Sequence, residues 1–162
     1  ARVFVTAGSA DKCARCRALG ADLAIDYRSE SFRERVQEAT GGRGVEVVLD
    51  PIGAAYLADN LASLAVGGRL VLIGLMGGAR AEIGLGALLT RRLSVIGSTL
   101  RTRSVEEKAA IVAAFQARFG AALADGRIRP IVDRVLPLAA VADAHRAMKA
   151  SEHFGKIVLT LG

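Results

Sequence analysis

Tryptophan is absent from this chain, and aromatic residues make up only 4% of it. That argues against the stacking platforms with which proteins grip single-stranded nucleic acid. Cysteine is scarce: Cys13 and Cys16 form one Cys-x-x-Cys. A structural zinc site needs four ligands, usually from a second such pair or from histidines. There is no second pair, and His145 and His153 stand too far along the chain to suggest a site by spacing. A thioredoxin-like redox pair would also sit at a helix start, but the surrounding residues read as an ordinary helix ending at Leu19-Gly20. No apolar run reaches the ~18 residues of a membrane helix. Residues 1–9 hold a short strand instead of the long apolar core of a signal peptide. The expected compartment is the cytoplasm, with no membrane partner.

What is present is a 162-residue chain, 52% hydrophobic, with a net charge of +6 supplied mostly by arginine. That length suits one domain, which buries roughly 70% of its unfolded surface. The positive charge reads as a solvated surface, because the basic residues are scattered. Only Arg91-Arg92 and Arg101-Thr102-Arg103 are tight clusters, and Arg101 and Arg103 are read as surface charges. No nucleic-acid partner is expected.

Short apolar runs alternate with helical patterns along the chain. Strands are expected at 2–6, 23–27, 45–49, 69–73, 93–97, 131–136 and 156–161. Helices are expected at 11–19, 31–39, 55–64, 104–125 and 141–150. Two of the helices open on capping boxes, Ser31 to Glu34 and Ser104 to Glu107. In the longest, Ile111, Phe115, Phe119 and Leu123 fall four apart on one face. Such alternation implies right-handed crossover units and a parallel sheet. The expected fold is therefore α/β, a Rossmann-type doubly wound parallel sheet.

Two glycine-bearing segments lie where such sheets bind ligands, at strand ends. After Arg2-Val3-Phe4-Val5-Thr6 the chain breaks at Ala7-Gly8-Ser9 and enters a helix led by Asp11 and Lys12. In a dinucleotide-binding fold an acidic residue at this place selects NAD, while small and basic residues admit the extra phosphate of NADP. Gly8, Ser9 and Lys12 read as an NADPH site. The second segment, Leu72-Ile73-Gly74-Leu75-Met76-Gly77-Gly78, lets backbone approach a ligand.

The phosphate-binding Gly-x-Gly-x-x-Gly turn is missing. It belongs ~20 residues before the ribose-reading position, which here would precede residue 1. The chain also begins with alanine. It is expected to be a C-terminal piece of a longer enzyme, lacking the first strand and its turn. That strand would sit between those holding Val3 and Val47, leaving two open edges that invite pairing. Such a chain is expected to form a homo-oligomer, swap segments or be held by the remainder. Residues 1–126 are read as a partial dinucleotide-binding domain and 127–162 as a C-terminal return segment.

Several ordered motifs carry a resemblance over essentially the whole chain. They are Thr6-Ala7-Gly8-Ser9-x-x-Lys12, Leu19-Gly20-Ala21, Asp26-Tyr27-Arg28 and the run from Gly42 to Gly53. Gly67-Gly68-Arg69-Leu70-Val71, Gly74 to Gly78, Ala144-His145-x-x-Met148 and Gly155-Lys156-Ile157-Val158-Leu159 complete the set. The chain resembles the zinc-independent quinone oxidoreductases, the zeta-crystallin-like branch of the medium-chain dehydrogenase/reductase superfamily. The resemblance implies hydride transfer from NADPH to a quinone or an α,β-unsaturated carbonyl, without a metal. By position, Ser9, Lys12 and Tyr27 match residues that hold the 2′-phosphate. Gly53 matches backbone beside the ribose and nicotinamide. Gly74, Leu75, Met76, Ser98, Thr99 and Leu100 match the wall beside the nicotinamide. His153 matches a position that approaches the cofactor, usually held by another polar residue. The C-terminal return would pack on an N-terminal catalytic domain, and no catalytic residue is assigned within these residues.

Blander roles stand beside these. Ser9 reads equally as a helix cap, Lys12 as a solvated lysine, Tyr27 as a strand end and the later glycines as turn residues. His145 reads as a helix-packing residue and His153 as part of a surface loop. Rival functions are an enoyl-reductase module of a polyketide or fatty acid synthase, and a non-catalytic nucleotide-binding or structural module. Against the first, the chain has Asp50-Pro51-Ile52-Gly53 where such modules tend to carry an Asn-Ser-Leu type turn.

Overall fold

Phe4–Ala7 (β1), Ala10–Ala18 (α1) and Leu23–Asp26 (β2) make the first crossover unit of the structure, a computed structural model describing residues 1–161. Phe32–Thr40 (α2) leads into Val45–Asp50 (β3). A short 3-10 turn at Ala54–Tyr56 precedes Leu57–Ser63 (α3), and Leu64–Leu72 (β4) follows. Leu85–Arg91 (α4) and Ser94–Gly97 (β5) continue the alternation. The chain divides into two compact units, Ala1–Thr102 and Arg103–Gly162. The longest helix goes with the second unit.

Every strand pairing is parallel. β1 pairs with β2, and β4 lies between β3 and β5. The sheet of the first unit is thus in two pieces, and β1 and β3 share no ladder. The parting lies between the strands expected to flank a missing neighbour. The two pieces run the same way. At one end the Tyr27 ring, just past β2, meets the Tyr56 ring, just past β3, with centroids 6.5 Å apart. At the other end Arg2, ahead of β1, donates to the Ala39 carbonyl of α2 at 3.4 Å, and α2 leads directly into β3.

Leucines hold the three-stranded piece together. Leu61 of α3 and Leu64 and Leu70 of β4 form a buried cluster, against which Val48, Leu72, Leu88 and Leu93 pack. Fully burying a leucine contributes about 1.5–3 kcal/mol, so this cluster anchors α3 and α4 to the sheet. The Arg91 guanidinium ties α4 to the junction of α3 and β4 by donating to the carbonyls of Leu61 and Leu64.

In the second unit, Val105–Ala124 (α5) opens on the expected capping box. Ser104 Oγ accepts from Glu107 N–H, and the Glu107 carboxylate accepts from Ser104 N–H. Val132–Pro137 (β6) pairs in parallel with Lys156–Thr160 (β7), joined through Val141–Lys149 (α6). Ala144 and Ala147 are the buried residues of α6. His145, expected to pack, is exposed on that helix, because its neighbours Ala144 and Ala147 take the inward face. No residue of α5 is buried: its apolar row includes Phe115 at 47% exposure, tilted against Phe119 at 5.2 Å.

Candidate functional site

The two turns after β3 and β4 form one laced structure. Asp50 ends β3 with a buried carboxylate, whose Oδ1 accepts from Ile52 N–H at 2.7 Å and Oδ2 from Gly53 N–H at 2.9 Å. The second turn then docks on the first by backbone bonds. Met76 N–H donates to Pro51 O, Gly77 N–H to Ile52 O at 2.7 Å, and Ala54 N–H to Gly78 O at 3.0 Å. Glycine is required for this approach. Gly53 has φ +83°, and a Cβ there would sit 2.8 Å from Gly78 O. A Cβ on Gly74 would sit 2.7 Å from Pro51 O. The turn role of these glycines is therefore a physical fact of the fold, whatever else they approach.

Beside this structure lies a cavity of about 770 Å³ between the ends of β4 and β5. Gly74 and Leu75 line one side, and Ser98, Thr99, Arg101 and Thr102 the other. Four residues expected beside a nicotinamide thus line the same cavity. Met76, 83% exposed, and Leu100 lie outside that lining. Arg101, read from sequence as a surface charge, is exposed and also lines this cavity. Its N–H donates to Thr99 Oγ1 at 3.3 Å.

A second group forms at the ends of β1 and β2. Ser9 is the N-cap of α1, its Oγ accepting from Lys12 N–H at 3.2 Å. Tyr27 leans across Gly8: a Cβ on Gly8 would fall 2.6 Å from the Tyr27 hydroxyl and 3.5 Å from Arg28 Nε. The absence of a side chain at Gly8 is what admits the tyrosine. Tyr27 packs edge-on to Tyr56, which tilts against Phe32 at 5.1 Å. Burial, then the neighbouring Tyr27, pushes the Tyr56 hydroxyl up from its ordinary range. The Tyr27 hydroxyl and the Arg28 guanidinium thus meet at Gly8, with no acid between β1 and Asp11 and with the Asp26 carboxylate at the end of β2 accepting from Arg28 N–H at 3.1 Å. Arg28 belongs to the group and was missed as a site residue. Its signal was position, directly after Tyr27 at the end of β2.

Other candidates stand apart. Gly8, Ser9, Lys12 and Gly53 line neither the 770 Å³ cavity nor the larger one between β1 and β3. His153 lies in the second unit between α6 and β7, with Nδ1 buried and without a hydrogen-bond partner. Cys13 is buried and Cys16 half-buried, both as free thiols. Burial first, then the charge of Asp26, pushes the Cys13 thiol up. Among the described residues no group of three or more His, Cys, Asp or Glu could hold a metal ion. No helix there is long and apolar enough to cross a membrane.

Comparison with known proteins fits this geometry. The pattern of the zinc-binding dehydrogenase family matches residues 19–159. Quinone oxidoreductase-like protein 2 of Bos taurus is 32% identical over 99% of this chain and 46% of its own length. A mycocerosic acid synthase-like polyketide synthase of Mycobacterium tuberculosis is 33% identical over 98% of this chain and 8% of its own. The crystal structure of Escherichia coli quinone oxidoreductase complexed with NADPH superposes with a TM-score of 0.82 at 28% identity, covering 98% of this chain and 49% of that one. The chain spans about half the length of the quinone oxidoreductase relatives it matches. The chain belongs to the zinc-binding dehydrogenase family, in the quinone oxidoreductase-like branch of the medium-chain dehydrogenase/reductase superfamily.

Proposed function

We propose that this chain is the coenzyme-binding part of a metal-independent oxidoreductase that reduces a quinone or an α,β-unsaturated carbonyl with NADPH. The observation that carries the reading is the group at the end of β1 and β2. Gly8 leaves room, Ser9 and Tyr27 offer hydroxyls, and Lys12 and Arg28 offer positive charge. These are the groups that an adenosine 2′-phosphate requires. The likeness to an NADPH complex supports it.

The residues divide the work by place. Ser9, Lys12, Tyr27 and Arg28 would hold the 2′-phosphate. The laced turns carrying Gly53 and Gly74 present backbone and the Leu75 side chain to the ribose and nicotinamide. Ser98, Thr99 and Arg101 face them across the cavity. The coenzyme, when bound, supplies the hydride. These residues fix its orientation and exclude water from one face, which is how a protein contributes when the cofactor carries the chemistry.

Isothermal titration of NADPH and NADH against a polypeptide of the relatives' length carrying this chain tests the reading. Lys12→Ala is expected to weaken NADPH more than NADH by about 1.5–3 kcal/mol, the worth of a charge-assisted bond. Equal weakening of both would remove the phosphate role, and binding of neither would favour a structural module. The likeness to a polyketide synthase supports a second reading, an enoyl-reductase module. Faster turnover of a 2-enoyl thioester than of a quinone would select it.

A further inference from the structure

We infer that Arg101 selects the electron acceptor: the cavity between the ends of β4 and β5 takes an enone bearing a carboxylate, held at its anion by the Arg101 guanidinium. This rests on the proposed reading of that cavity as the meeting place of coenzyme and acceptor, and narrows the acceptor to one chemical class. The two sides of the cavity lie level because the ladder runs up to their edge. Leu72 pairs with Gly97, and Ser98 N–H donates to Leu72 O at 2.9 Å. The polypeptide at each strand end then supplies one side.

The two sides differ in chemistry. The β4 side presents Leu72 and Leu75, and the β5 side presents Thr99, Thr102 and Arg101. Leu72 is half-buried at the floor, while Arg101 is exposed at the rim. Among the described residues lining the cavity, Arg101 alone is charged, so the charge a ligand meets there is positive. A ligand that matches both sides has an apolar carbon frame and an anionic end.

A quinone or a simple enone has no use for that charge. Its carbonyls are neutral acceptors, and threonine hydroxyls donate to such groups. A guanidinium carries a permanent charge and a planar fork of donors, which meets a carboxylate in two parallel bonds. The carboxylate is untouched by the reduction and serves binding alone. The diphosphate of the coenzyme is the other anion with this chemistry, and the experiment separates the two sources.

The probes are (E)-6-oxohept-4-enoate and its methyl ester, in which methylenes insulate the enone from the carboxyl group. They are reduced with NADPH by a polypeptide of the relatives' length carrying this chain. The acid is expected to be the better substrate. In Arg101→Gln the ratio of kcat/KM for acid over ester is expected to fall at least about tenfold, the fold-change of one charge-assisted hydrogen bond, and to fall through KM. Arg101→Lys, which keeps the charge without the fork, is expected to restore part of the ratio. Added salt is expected to lower the ratio in the parent and not in Arg101→Gln. Equal losses for acid and ester would overturn the inference, as would a loss of NADPH affinity as large as the loss for the acid. Calorimetric titration with the saturated acid, 6-oxoheptanoate, without coenzyme separates this inference from the reading beneath it. Binding about tenfold weaker in Arg101→Gln, in a protein that takes up no NADPH, would remove the coenzyme reading and keep the carboxylate site. Equal binding by parent and variant would overturn the inference whether or not NADPH binds.

Discussion

Single residues decide how closely the strand-end turns approach. Gly53→Ala forces a side chain into a left-handed backbone and against Gly78 O. The expected loss is about 1–3 kcal/mol from the backbone alone, read by urea unfolding. An unchanged midpoint would mean that the two turns are not laced. At the cysteines, burial and a raised thiol keep Cys13 from the reactive thiolate form. Iodoacetamide is expected to modify Cys16 first, as peptide mass mapping would show, and prior modification of Cys13 would contradict the packing of α1. Sequence alone marked Gly8, Ser9 and Lys12, because small and basic residues at a strand end carry a physical meaning, while Tyr27 entered through the family resemblance. It could not show that Tyr27 crosses Gly8, nor that Arg28 and Arg101 turn toward the site, since side-chain direction after a strand depends on the fold around it.

Among the elements, helices with capping signals were legible, and so were α3 and α6, which have no side-chain cap but show an apolar helical pattern. Ser31 and Ser104 are the N-caps of α2 and α5 where their motifs placed them. α4 went unread: it is short, and Gly84 caps it with no side chain. β4 begins five residues earlier than the Gly67-Gly68 turn suggested. Its first residue, Leu64, pairs with Val45 before the register shifts to Val47 with Arg69, and a shift of partner leaves no periodic trace. Ser104→Ala is expected to cost about 1 kcal/mol, with reduced helical ellipticity; unaltered ellipticity and stability would contradict the capping box. Glu106 beside that cap is held below the usual carboxylate range by its own backbone N–H and by the Ser104 hydroxyl. A depressed carboxylate stabilises above its unfolded pKa and loses that contribution as pH falls through the folded value. Helical signal from α5 is therefore expected to fall first below about pH 4, and Glu106→Gln is expected to flatten that loss in circular dichroism.

At the scale of the molecule, the parallel alternation was legible because apolar runs and helix periods repeat in order along the whole chain. The sheet parts between β1 and β3, a place that the apolar runs alone do not mark. The chain's span of about half its relatives makes the coenzyme site the feature on which the functional account turns. A crystal structure of NADPH bound to a polypeptide of the relatives' length carrying this chain tests it most directly. The account predicts the adenosine 2′-phosphate within about 3 Å of Ser9 Oγ, Lys12 Nζ or the Tyr27 hydroxyl, and the nicotinamide beside Gly74 and Thr99. An adenosine seated away from the ends of β1 and β2 would contradict it.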